Sequence, residues 1–317
     1  MSNKTLVSVC IITYNHENFI REAIEGVLMQ KTDFPIELII GEDCSTDGTR
    51  KIVMEYASKY PDIIRPLLQE KNHGVKTNFF NTLKLCKGEF IAICEGDDYW
   101  IDKNKLQLQV EFLKLNKKCS LVHTSGFWKK GDKTIPWLEY EKLCGNVEET
   151  FYYGNIVRTC TVLLRNEYLK EFFEISKKME ANIICDWPLF AFYAKKGEFG
   201  YIEKKTSIYR LNNNSVTSRK NAILSLNYAL DVAEMKRFLR DYLFPKKLDN
   251  LYSEKILSED INHAKLKKSF RMYEYDNAKS IFRETYLNNK SIKLKKYTSN
   301  ILFFYMACLI KKTFYNK

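Results

Sequence analysis

One arrangement recurs three times in the first hundred residues and narrows the fold more than any other feature. A short apolar run ends in a polar cluster: "LVSVCII" at 6–12 leads into "TYNHE", "IELII" at 36–40 into "GEDCSTD", and "EFIAIC" at 89–94 into "EGDDYW". Runs of this length, rich in β-branched residues and not alternating with polar ones, read as strands covered on both faces. The first two clusters lead into helical periods. Phe19, Ile20, Ala23, Ile24, Val27 and Leu28 share one helical face, as do Ile52, Val53, Tyr56 and Ala57, with Pro61 closing the second helix. "IIRPLLQ" supplies a shorter strand and "GVKTNFFNTLKLCKG" another helix that ends at Gly88. Alternating strands and helices predict an α/β, Rossmann-like, mostly parallel sheet flanked by helices. In such sheets ligands collect beyond the carboxyl ends of the strands, so the three polar clusters are expected to converge on one crevice.

Further along, "KLQLQVEFLKLN" reads as an amphipathic helix and "CSLVHTSGFW" as a strand. The stretch 129–155, with Pro136, three glycines and many charges, reads as a loop region. "NIVRTCTVLLRNEYL" reads as a strand entering a helix, "CDWPLFAFYAKKG" as a helix with Pro188 near its start, and "FGYIEKKTSIYRLNNNS" as a hairpin or strand pair. Beyond about 220 the period is helical, broken near Pro245, Ser269 and Asn289. The expected organisation is therefore an α/β domain over 1–215, with its halves meeting near 115, and a basic helical C-terminal region over 216–317.

Of the net charge of +12, almost all lies in the last third: residues 1–210 hold 30 Lys+Arg against 29 Asp+Glu, and residues 211–317 hold 21 against 10. Such a tail can face nucleic acid, an anionic membrane surface or only water, and "ILFFYMACLI" at 301–310, followed by Lys311 and Lys312, adds an apolar run that favours the membrane surface. That run is too short to span a bilayer but suits an interfacial helix, or one docked on the rest of the chain or on a second subunit in a homo-oligomer. No RNP-like or finger motif supports nucleic acid as a partner. No GxGxxG follows the first strand and no P-loop occurs, which disfavours a dinucleotide oxidoreductase or a P-loop enzyme. Nine scattered cysteines without a CxxC pair, and a first strand that begins within six residues of Met1, predict reduced thiols and a cytoplasmic protein, peripheral at the inner face of a membrane.

Glu95, Asp97 and Asp98 follow a buried strand, where three carboxylates repel one another and lose hydration unless a positive group joins them. A hard divalent cation, Mn²⁺ or Mg²⁺, would do so and bridge to a diphosphate. The alternative is a solvated acidic turn before the helix that starts near Asp102. In the second cluster Thr46 or Asp47 can cap a helix, whereas Asp43 lies just past a strand, where its carboxylate can accept a nucleobase imide N–H. Thr13 and Asn15 offer polar contacts, Tyr14 a stacking surface, and Glu17 either a ligand contact or an acid at a helix start. His16, His73, His123 and His263 lack ligand spacing and receive no role.

"VSVCIITYNHENFIREAIEGVLMQ", "ELIIGEDCSTDGT", "NHGVKTNFFNTL" and "GEFIAICEGDDYW" together resemble the sugar-nucleotide-binding half of family 2 glycosyltransferases of the GT-A fold. The resemblance is strong over 6–115 and extends more weakly to about 215. It implies transfer, with inversion, of a sugar from a nucleotide-diphosphate sugar, first of all a UDP-sugar. The implied acceptor is a glycan or lipid-linked glycan of a surface polysaccharide, and a divalent metal sits at a DxD-like motif. By position, Thr13, Tyr14, Asn15 and Glu17 match the first nucleotide loop, Asp43 and Ser45 the base site, Asp97 the ribose or metal site, and Asp98 the direct metal ligand. Glu95 stands where the first aspartate of the motif is usual. Asp186 in "CDWPLF" matches the catalytic base, with a helix cap as its structural alternative; its neighbour Trp187 is a further candidate. Arg210 matches a diphosphate-binding arginine, and Asn212 replaces the usual histidine of Tyr-Arg-x-His. Arg158, Thr159 and Arg165 fall near the implied acceptor region. A competing reading is a non-catalytic protein that keeps the fold and uses its tail as a membrane or protein-binding module.

Overall fold

Nine strands form one sheet in the computed structural model, which describes residues 6–137, 143–181, 183–211 and 222–245 and the isolated positions 247, 248, 253, 257, 258, 262 and 265. The strands are β1 (Val7–Thr13), β2 (Ile36–Glu42), β3 (Ile64–Leu68), β4 (Phe90–Glu95), β5 (Tyr99–Trp100), β6 (Cys119–Lys130), β7 (Lys133–Pro136), β8 (Leu163–Arg165) and β9 (Glu198–Arg210). The helices are α1 (Ile20–Leu28), α2 (Thr49–Lys59), α3 (Val75–Leu85), α4 (Lys105–Leu115), α5 (Leu169–Ser176), α6 (Asp186–Lys196) and α7 (Ala222–Phe238). The sheet order is β3-β2-β1-β4-β8-β6-β9-β5, with β7 paired to β6. Its first four strands are parallel; β8 then runs antiparallel to both β4 and β6, and β9 lies parallel to β6.

The apolar runs do what their composition requires. Val7, Val9, Ile11, Leu38, Ile40, Phe90 and Ala92 are buried together with Ile20, Ile24 and Val27 of α1. Each large aliphatic side chain withdrawn from water in this way stabilises the fold by roughly 1.5–3 kcal/mol. The pairing register then fixes the site: Thr13 lies opposite Glu42 and Ile12 opposite Glu95. Three strand ends therefore finish level, and the loops that follow them leave from one edge of the sheet.

Two expectations are corrected. The stretch 129–155 contains the β6–β7 hairpin, turned at Gly131 with φ 57°, and a 3-10 turn at Glu148–Tyr152. "FGYIEKKTSIYR" is not a hairpin but the single strand β9, 13 residues long. Between Gly200 and Leu211 it has no Gly, Pro, Asn or Asp on which to turn, and the equally extended β6 gives it a continuous partner with register shifts around Ser125.

The chain divides into two compact units, Met1–Asn212 and Asn213–Lys317. In the second, α7 carries an Arg237–Glu234 ion pair one turn apart at 2.6 Å and passes into a π-helical turn at Leu239–Leu243. The helical breaks near Ser269 and Asn289, the apolar run 301–310 and Asn212 lie outside the described residues. No helix among the described residues is long and apolar enough to cross a membrane.

Candidate active site

The loops after β1 and β2 are fastened to each other by the residues that the sequence singled out. Asn15 adopts the left-handed conformation, φ 55°, which asparagine tolerates better than most residues. That bend turns its Oδ1 to accept the Thr46 N–H at 2.8 Å while its own N–H donates to Ser45 Oγ at 3.0 Å. Glu17 Oε2 accepts the Gly48 N–H at 2.7 Å, and Asp47 accepts the Glu17 N–H at 3.1 Å and the Thr49 N–H at 2.9 Å. Asn15, Glu17 and Ser45 thus shape the crevice, and Asp47 ties down the start of α2. Tyr14 remains 40% exposed beside them.

Asp43 is buried. Its Oδ1 accepts the His73 N–H at 2.8 Å and its Oδ2 the Gly74 N–H at 2.9 Å, so it anchors the loop in which Gly74, φ 81°, opens α3. Behind it the buried Glu42 carboxylate pairs with Arg50 and accepts the Ser45 N–H at 2.7 Å. Arg50 escaped the sequence reading, because nothing in "GTRKIV" distinguishes an arginine aimed at a strand end from one facing water.

The acidic turn after β4 is held from several sides. Gly96 donates its N–H to the Ile12 carbonyl at 2.9 Å, and a Cβ there would lie 2.6 Å from Thr13 Oγ1 and 2.9 Å from His16 Nδ1. Only glycine allows that approach. Asp98 is 2% exposed; its Oδ1 accepts the Arg210 N–H at 2.8 Å, and its Oδ2 is buried with no partner. Glu95 Oε2 is likewise buried without a partner. Burial pushes the Glu95 carboxyl up to about 7, against a hydrogen bond with Thr159, and the charges of Asp97 and Asp186 add to the rise. Burial first, then Asp97 and Glu95, push Asp98 upward in the same way. Asp97 is less enclosed than Asp98. None of the three acids caps α4; Asp102 does the local work there, accepting the Asn104 N–H at 2.7 Å.

Arg210, at the end of β9, crosses to this turn. Its guanidinium donates to the Asp97 carbonyl at 2.7 Å, pairs with Glu22 of α1 at 2.7 Å, and lies 4.3 Å from the Tyr99 ring centroid and 5.1 Å from that of Phe19. Two of its donors are therefore engaged within the protein. His16, given no role from the sequence, sits in the same corner, its Nδ1 3.2 Å from Thr13 Oγ1. Burial lowers its pKa, against the charges of Asp97 and Asp47, and Arg210 lowers it further.

Asp186 opens α6, and its charge is among the causes that raise the Glu95 carboxyl. Its Oδ2 accepts a hydrogen bond from Asn155 Nδ2 at 2.7 Å. Burial raises its carboxyl above the ordinary range, while bonds from Trp187 N–H and Asn155 and the charge of Arg158 pull it back. Asn155 is a second residue that the sequence reading missed; it lies in the stretch read as loop. Trp187 is buried and donates its indole N–H to the Phe151 carbonyl at 2.8 Å, a core contact. Arg165 is committed inside the fold as well, donating to the Cys119 and Leu113 carbonyls at 2.8 and 2.6 Å.

The residues of the acidic turn fit a hard divalent ion. Two buried carboxylate oxygens lack partners, a third carboxylate lies beside them, and every donor is oxygen. Among the described residues no three His, Cys, Asp or Glu side chains are gathered closely enough to hold an ion alone. That suits an ion bound by one or two carboxylates and completed by phosphate oxygens. The described cysteines are free, eight in all.

The nine-stranded architecture has counterparts among solved structures. It is similar to the mannosyltransferase PcManGT from Pyrobaculum calidifontis in complex with GDP-Man and Mn²⁺, with a TM-score of 0.56 and 15% identity, over 100% of this chain and 89% of that one. This likeness shows the GT-A fold. In sequence the chain is 34% identical over 209 residues to an uncharacterized protein of Mycobacterium tuberculosis, matching 64% of this chain and 58% of that protein's length. It is 30% identical over 213 residues to the dTDP-rhamnosyl transferase RfbG of Shigella flexneri, covering 64% of this chain and 72% of that one. The family model for glycosyl transferase family 2 matches residues 8–176, the segment that carries the interlocked loops and the acidic turn, and the chain belongs to that family.

Proposed function

We propose that the chain is an inverting, metal-dependent glycosyltransferase that moves a sugar from a UDP-sugar to a hydroxyl of a glycan or lipid-linked acceptor in surface-polysaccharide assembly. The observation that carries this reading is that the charge of Asp186, the first residue of α6, bears on Glu95 in the acidic turn at the end of β4, where Asp98 Oδ2 is buried without a partner. A base and an anion-binding centre side by side are what displacement of a nucleoside diphosphate requires.

In this reading Tyr14 offers its exposed ring to the base. Asp43 accepts the imide N–H with the lone pairs left over from its two backbone amides. Uracil and thymine both carry that imide, so uridine and thymidine donors are the first to test. Asp98 through its unpartnered Oδ2, with Asp97 beside it, would hold the divalent ion, which would supply positive charge for the diphosphate as it leaves. The Asp186 carboxylate takes the proton of the acceptor hydroxyl. The hydroxyl oxygen attacks the anomeric carbon from the side opposite the diphosphate, and the bond to the diphosphate oxygen breaks with its electron pair. A positioned base of this kind contributes on the order of 10²–10⁴ in rate.

The test is a panel of UDP-, dTDP- and GDP-sugars with and without Mn²⁺, scored by thermal stabilisation and by donor turnover. A donor at a hundred times its Kd stabilises the fold by about 2.7 kcal/mol. Asp186→Asn should keep that stabilisation and lose at least about a hundredfold in turnover. Unchanged turnover in this variant, or no stabilisation by any donor, refutes the proposal.

A further inference from the structure

We infer that one face of the β6–β7 hairpin, together with Arg158, forms the acceptor subsite, and that it selects acceptors bearing an anionic group, a phosphate or a carboxylate, next to the sugar that is modified. This rests on the glycosyltransferase reading above. Alternate residues of a strand share a face, so Trp128 and Lys130 of β6 project on the same side as their register partners Ile135 and Lys133 of β7 and Tyr209 of β9. The Trp128 ring lies 5.1 Å from that of Tyr209 and 5.9 Å from that of Trp137, both edge to face. The Arg158 guanidinium carbon stands 4.6 Å from the Trp128 ring centroid. These groups make a continuous wall.

The wall is tied to the chemistry at both ends. At one end Tyr209 directly precedes Arg210, whose N–H donates to Asp98 Oδ1 at 2.8 Å, and at the other Arg158 stands three residues beyond Asn155, whose Nδ2 donates to Asp186 Oδ2 at 2.7 Å. A sugar ring whose hydroxyl reached Asp186 would therefore have Arg158 and Trp128 beside it. Two features of the wall point to a ligand. The Trp137 indole N–H is buried with no partner, and Ile135 is 54% exposed next to Trp128. The hairpin beyond carries Lys130 and Lys133, both exposed, against one acid, Asp132. Aromatic faces stack on the C–H faces of sugars, and an acceptor hydroxyl or ring oxygen can take the Trp137 N–H. A guanidinium matches a phosphate or carboxylate bidentately, and the lysines add point charges along the path by which the rest of the acceptor leaves. A neutral glycan would gain the stacking alone.

The anion has two sources, an acidic glycan chain or the diphosphate of a lipid carrier, and the experiment separates them. Oligogalacturonate, its neutral methyl ester and farnesyl diphosphate are titrated calorimetrically into the full-length protein at low and high salt. At low salt at least one anionic probe is expected to bind about tenfold more tightly than the ester, with the preference shrinking in salt. Preference for oligogalacturonate assigns the subsite to an acidic glycan; preference for farnesyl diphosphate assigns it to a lipid diphosphate. Arg158→Gln should erase the charge preference. The exposed double variant Lys130→Gln/Lys133→Gln should reduce it and its salt dependence without touching the core. Equal binding of ester and acid, no binding of either anion, or an unchanged preference in both variants overturns the inference. Its failure is distinct from that of the glycosyltransferase reading, which is judged on donor stabilisation and turnover with no acceptor present.

Discussion

Lys105, the first residue of α4, has no exposed surface; its Nζ donates to Gln109 Oε1 at 2.7 Å and stands 4.2 Å from the Trp100 ring centroid. Burial pushes the amine down to about 7, and the thiols of Cys94 and Cys160 oppose that shift. In an unfolded chain the same amine titrates near about 10.4. Between those two values the unfolded chain holds a proton that the folded chain has given up. Stability therefore falls as pH drops from the upper value to the lower, and levels off below it. The slope approaches 1.36 kcal/mol per pH unit, and allowing for half-protonation at pH 7 the fold gains about 2 kcal/mol between pH 7 and pH 9. Lys105→Met keeps the length of the side chain and removes the titration. Urea unfolding of both proteins at pH 7, 8 and 9 reads the difference directly, because every other titrating group is common to both. The variant loses the bond to Gln109, which shifts its curve as a whole but leaves its slope alone. Parallel curves for the two proteins would refute the reasoning; curves that diverge by about 2 kcal/mol by pH 9 bear it out.

Gly96→Ala should destabilise the fold by roughly 1–3 kcal/mol in the same unfolding assay, because the new methyl meets Thr13 and His16 at less than contact distance. It should also weaken donor-induced stabilisation, since the acidic turn must shift. Asn155→Ala removes a bond that lowers the Asp186 carboxyl, so that pKa should rise and the acidic limb of the kcat profile move to higher pH. An unmoved limb would show that Asn155 does not position the base.

The parallel half of the sheet was legible because its strands are buried on both faces, so "VSVCII" and "IELII" announce themselves without reference to anything distant. The convergence of three polar clusters followed from the same pattern. What could not be read was set by long-range pairing. β5 is two residues long and exists only because β9 passes beside it, at Tyr99–Ile208 and Trp100–Ser207. β7 is an exposed strand whose partner, not its hydrophobicity, defines it. The same holds in the site. Asn155, His16 and Arg50 carry no local signature; their roles arise from what the fold carries up to them. Asp98, chosen from the sequence as the direct metal ligand, is the most enclosed acid of the turn and gives one oxygen to Arg210 N–H. Any ligation by it runs through Oδ2.

The fastening of the first two loops has a consequence for how donor preference can change. Asn15 donates to Ser45 and accepts from Thr46, and Glu17 donates to Asp47 and accepts from Gly48, so two segments distant in sequence behave as one rigid jaw. The conformational freedom of that jaw is surrendered during folding, and an arriving nucleotide has no loops there to order. Exchanging Asn15 or Glu17 would therefore deform both segments together. Under the proposed function, a new nucleobase preference is more readily reached at Tyr14, which the jaw leaves 40% exposed, than by changing the clasp that closes it or Asp43, which anchors the loop before α3.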